Sequence, residues 1–158
     1  MEGGNYMNSV KENYVERIKN ATPVQLIVIT FELVLVNIED ARENIHDNEK
    51  FELHIRKAQD FLMQLMTSLD MSYQISSELL NLYLYANKLL HNSYFSKDLI
   101  DLDEATEILD GLLESFFILA QEELGSGIND QLFSSYTYNK NGMIDEVFFD
   151  DVKTEYRA

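Results

Sequence analysis

With 28 carboxylates, three histidines and no cysteine, this chain has few groups that could do chemistry. Glu43-Asn-Ile-His46 is a Glu-x-x-His, the helical unit from which di-iron carboxylate bundles are built. Such a centre needs a second copy of the unit and inward glutamates on facing helices. Neither His54 nor His91 has a glutamate three residues before it, so Glu43 and His46 read as a chance spacing near a helix end. Around Asn139-Lys-Asn-Gly142 a calcium loop would place its first ligand at Thr137 and its twelfth at Phe148. The twelfth position must supply a bidentate carboxylate, which a phenyl ring does not, and the stretch reads as a turn. There is no glycine-rich phosphate loop, no Ser/His/Asp spacing and no carboxylate pair on one buried helix face. Absence of cysteine removes disulfides, thiolate metal sites and thiol nucleophiles. The expectation is a protein that is not an enzyme and holds no metal and no cofactor.

The elements that position the side chains are more informative than the polar groups. In Ala21-Thr-Pro-Val-Gln25, Thr22 is placed to cap a helix, Pro23 to occupy its first turn, and Gln25 to complete a capping box. From Leu26 to Val36 only Thr30 and Glu32 are polar, so this helix, continuing to about His46, has no wide polar face. A membrane span would need about 20 apolar residues; here the run is broken by Glu32 and followed by Asn37-Ile-Glu-Asp40. No membrane insertion is expected. The net charge of −16, from 12 basic and 28 acidic residues, opposes binding to phosphate backbones, and no nucleic-acid partner is expected. No charged and apolar leader opens the chain, which makes the cytoplasm the default compartment.

Asp47-Asn48 breaks the first long helix and caps a second, whose Phe51, Ile55, Ala58, Leu62, Leu65 and Leu69 form a seam. A third is expected over residues 75–94, with apolar or aromatic side chains crowding Leu79 to Leu90. Tyr83 and Tyr85 within it are two apart and face different sides, one for the core and one for a surface contact. Asp101 with Glu104 starts a fourth helix, carrying Ala105, Leu109, Leu112, Phe116 and Leu119, and Gly125 stops it. The fold class is therefore all-α: an antiparallel up-and-down four-helix bundle over residues 21–124, an N-terminal arm over 1–20, and an acidic, aromatic-containing, partly extended C-terminal tail over 125–158. The arm is either disordered or lies on the bundle. In a bundle each helix needs about three apolar positions in seven, and the first and third helices carry more. That surplus must be covered by another segment, a partner or a second copy of the chain, which leaves a homodimer open.

The same residues carry a resemblance. The chain is similar to the flagellar export chaperone FliS family across about residues 14–120. Ala21-Thr-Pro and Gln25-Leu-Ile resemble that family's Ala-Ser-Pro and Gln-Leu-Ile opening, and Thr30-Phe-Glu stands where Leu-Tyr-Asp is usual. Lys57-Ala-Gln-Asp60 with Ser68-Leu-Asp70 resembles its second helix, Leu82-Tyr-Leu-Tyr85 its Leu-Tyr-x-Tyr third helix, and Leu112-Leu-Glu114 the end of its fourth. Tyr73-Gln74 replaces the usual Gly-Gly, Ala86 a frequent methionine and Leu119 a usual tryptophan, while the tail after Gly125 lies outside the family core.

The resemblance implies a cytoplasmic chaperone that binds the disordered C-terminal segment of flagellin in an apolar groove, prevents premature polymerisation and assists flagellar type III export. Residues placed to line or shape the groove are Ile18, Pro23, Leu26, Ile27, Phe31, Leu82, Tyr83 and Tyr85. It also implies docking on the cytoplasmic domain of the export gate through the arm, with Tyr6 and Tyr14 as anchors. The tail is too apolar to be merely solubilising. It is expected to dock on a bundle, either as a cover over the first and third helices or as an extension packed elsewhere.

Overall fold

A computed structural model describes residues 13–126 of the 158. These residues form five helices and no strand: α1 over 13–20, α2 Pro23–Glu43, α3 Asn48–Thr67, α4 Gln74–Ser96 and α5 Leu99–Ser126. The tail expected to dock, and with it the turn at Asn141-Gly142, lies outside the described residues.

The start of α2 is built by its capping box. The Thr22 hydroxyl accepts from the Gln25 N–H at 3.2 Å, and the Gln25 side chain accepts from the Thr22 N–H at 3.0 Å. Asp47 does the equivalent for α3, accepting from the Lys50 N–H at 3.2 Å. Several boundaries differ from the sequence expectation: α4 is longer at both ends, Gly125 lies inside α5 rather than stopping it, and two further differences have a clear local cause. α2 stops at Glu43, where the Asn44 amide donates to the Asp40 carbonyl at 2.7 Å, and residues 44–46 form a turn. Glu43 and His46 therefore do not share a helix face, which removes the geometry a Glu-x-x-His needs. α5 begins at Leu99 rather than Asp101. Lys97 adopts the left-handed conformation (φ 56°) that ends α4, and Asp98 then accepts from the Ile100 N–H at 2.9 Å as the new cap.

α2 packs against α3 and α5, and α4 packs against the same two helices. Twelve residues of α2 are buried. Its two buried polar side chains bond within the helix, Thr30 Oγ1 to the Leu26 carbonyl (2.7 Å) and Asn37 Nδ2 to the Leu33 carbonyl (2.8 Å), so neither leaves a donor stranded. Five of the six residues of the expected α3 seam, Phe51, Ile55, Ala58, Leu62 and Leu65, are enclosed; the sixth, Leu69, lies past the end of the helix at Thr67 and is only partly buried. At the centre, Phe31 of α2 stacks on Phe116 of α5 (centroids 5.6 Å) and meets Tyr83 of α4 at 5.9 Å, so three helices share one aromatic cluster.

The end of the arm is a docked helix. Ile18 of α1 is buried, Tyr14 and Val15 pack against the core, and Arg17 makes a two-pronged pair with Glu32 of α2 at 2.6 and 3.0 Å. With α3 and α5 on other sides, α1 accounts for how a helix with so little polar face is covered.

Candidate partner-binding surface

The eight residues expected to line or shape a groove divide sharply. Ile18, Leu26, Ile27, Phe31 and Tyr83 are buried, none more than 4% exposed. They hold the helices together, and a partner could touch them only if the helices separated. Pro23 is exposed at the first turn of α2. Leu82 and Tyr85 are 40% and 43% exposed on α4, so the two tyrosines two residues apart diverge as their spacing requires. A strip running along α2 and α4 together is not what the fold presents. Most of the apolar surplus of α2 is consumed by packing, Val36 being left exposed, and α2 and α4 each take α3 and α5 as principal neighbours.

The surface left open lies along α4 and α5. Ile75, Leu82 and Tyr85 step by 7 and 3 and share one side of α4, and Ile75 is 46% exposed. That side faces α5, because the Tyr85 hydroxyl donates to Glu104 at 2.5 Å. This bond raises the Tyr85 pKa, since the phenolate would lose it and meet the Glu104 charge. From Glu104 the same side of α5 continues through Ile108, Gly111, Ser115 and Ile118 in steps of 4, 3, 4 and 3. Ile108 is partly buried, Ile118 is 50% exposed, and a Cβ at Gly111 would meet no atom within 4 Å. A narrow apolar strip with an open floor at Gly111 results. Sequence reasoning missed the contribution of α5. Its signal was a second 4, 3, 4, 3 register beside the core register, obscured because Gly111 and Ser115 carry no apolar bulk.

A second concavity of about 380 Å³ lies between α1, α2 and α5, floored by Val28 and Ile29 and walled by Phe117 and Leu124. Arg17 and Glu32 sit at its rim, and Glu32 holds the guanidinium pKa above its ordinary value. Beside them Tyr14, expected as an anchor for the export gate, is partly buried with the Arg17 guanidinium 5.3 Å from its ring centre. Burial, and then the Glu32 charge, push its phenol pKa up. Tyr6, the other expected anchor, lies outside the described residues. The Thr22 hydroxyl donates to Glu123 at 3.1 Å and ties the start of α2 to the end of α5.

Among the described residues no three His, Asp or Glu side chains converge to hold a metal ion, and no helix is long and apolar enough to cross a membrane. An enclosed helical core with apolar strips turned outward is the build of a protein that binds other polypeptides. The chain belongs to the FliS family: the family model described as flagellar protein FliS matches residues 6–123. It is a family of flagellar chaperones. Among curated proteins none matches the chain.

Proposed function

We propose that this protein is a cytoplasmic chaperone that holds the disordered C-terminal segment of flagellin along the α4–α5 strip, keeps it from polymerising early and assists its export. The observation that carries the reading is the side of α4 that meets α5, where Ile75, Leu82 and Tyr85 stay outside the core while most of the apolar residues of α2 are enclosed in it. Helix order and the four principal pairings support an antiparallel up-and-down four-helix bundle as the rigid frame. The client's apolar helical faces find cover only when packed, and the strip substitutes for that packing. Ordering a disordered segment costs several kcal/mol, so a client must bury on the order of 1,000–3,000 Å², which an extended strip supplies and a small pocket does not. Docking of the loaded chaperone on the export gate falls to the arm, with Tyr6 and Tyr14 as anchors, Tyr14 also packing against the core and so holding α1 in place.

A homodimer is the second reading, favoured by Phe95 and Ile100, which are 70% and 69% exposed beside the α4–α5 turn. Light scattering with and without a C-terminal flagellin fragment separates the two. A one-to-one complex formed from monomer supports the chaperone; a dimer that ignores the fragment supports self-association.

A further inference from the structure

We propose that the C-terminal segment of this same chain folds back along α5 and seats Leu132 and Phe133 in the concavity between α1, α2 and α5. This occupant is independent of the flagellin reading, and its site is on the other side of α5 from the strip. Phe117 and Leu124, which wall the concavity, are 47% and 63% exposed, a cost in open apolar surface at a site already floored by Val28 and Ile29.

Three observations select the segment. First, α5 ends at Ser126, two residues past Leu124, so the following 32 residues (158 minus 126) leave from the mouth of the concavity. Second, the reach matches. Returning from Ser126 to Phe117 covers nine helical residues, about 13.5 Å at 1.5 Å each. The six residues 127–132 span at most about 20 Å. Leu132-Phe133 is the first paired apolar stretch of the segment, and Gly125 and Gly127 flank the point where the chain must reverse. Third, the N-terminal segment leads elsewhere. Asn20 lies with Gln25 at the concavity while Arg17 pairs with Glu32, so α1 runs back along α2 and its first described residue, 13, is at the end of α1 away from Asn20 and Gln25.

The chain has no tryptophan, so Phe117→Trp provides a single reporter in the full-length protein. With the segment seated, its emission is blue-shifted and poorly quenched by iodide. Adding Leu132→Asp and Phe133→Asp red-shifts it and raises quenching several-fold, whereas Leu82→Glu on α4 leaves it unchanged. Emission that ignores the two aspartates, that depends on protein concentration as a second copy would require, or that responds instead to deletion of residues 1–12 overturns the proposal. Hydrogen exchange of α5 amides around residues 117–124 gives the same comparison without the tryptophan: faster exchange in the Leu132→Asp, Phe133→Asp chain is expected, and equal exchange is contrary.

Discussion

Tyr83 and Tyr85 do opposite work from within one turn of a single helix. Tyr83 is sealed against Phe31, while Tyr85 stands at the surface and reaches across to Glu104. Their substitution should separate stability from binding. Phe31→Ala, which empties the centre of the aromatic cluster, is expected to cost about 3–5 kcal/mol in urea unfolding. Leu82→Ala is expected to cost under about 1 kcal/mol, because the side chain is already 40% exposed. Gly111 gives the converse test. Alanine at a mid-helix glycine with open space around it should stabilise the protein by about 0.5–1 kcal/mol. A bulky Gly111→Phe should leave the melting temperature near wild type and weaken client binding, since it fills the open floor of the strip. Tyr14 supplies a pH test. Its pKa is raised on folding by burial and by Glu32, so the folded state keeps the phenol proton to higher pH than the unfolded chain. Stability from this group is complete below the ordinary value of 10.0 and is lost as pH rises through the folded value. Wild type should lose more stability between about pH 9 and 11 than Tyr14→Phe, measured by urea unfolding at each pH.

At the scale of the elements, local signals were legible where one residue type does one job. Thr22, Pro23 and Gln25 marked the start of α2, and Asp47 that of α3, because capping needs only side chains within three residues. Thr22→Ala should cost about 0.5–2 kcal/mol, towards the upper end because its hydroxyl also binds Glu123; a smaller loss in thermal unfolding would show that the cap contributes little. The start of α5 was misread for the same local reason. Asp101 and Glu104 make an acceptable capping pair, but Lys97 in the left-handed conformation ends α4 early enough for Asp98 to cap first. No residue type announces that, since glycine is the usual occupant of such a position. The apolar surplus of α2 and α4 was visible, yet its fate was not. Spacing shows how wide an apolar face is and is silent on what covers it. α1 accounts for α2 through Ile18 and the Arg17–Glu32 pair, and among the described residues nothing comparable covers Ile75 and Leu82 of α4.

Across the whole molecule, the division of labour follows from which helices neighbour which. α2 meets α3, α5 and α1, so its apolar circumference becomes core; α4 has two principal neighbours and keeps an outward side. The family was legible because Leu82-Tyr-Leu-Tyr85 and the Thr22-Pro23 opening are strings of adjacent residues. The proposed binding surface was only partly legible, because five of the eight residues expected to line or shape it are buried, and Ile108, Gly111 and Ile118 entered the proposal only once α5 was seen beside α4. The central claim is that the α4–α5 strip is where the client's apolar surface goes. Calorimetric titration of the C-terminal flagellin fragment at several temperatures, into wild type and into Leu82→Glu, tests it most directly. The account predicts a clearly negative heat-capacity change for wild type, and for Leu82→Glu a loss of at least about tenfold in affinity, or about 1.4 kcal/mol, with unfolding stability retained. Wild-type affinity in Leu82→Glu, or a heat-capacity change near zero, would contradict it.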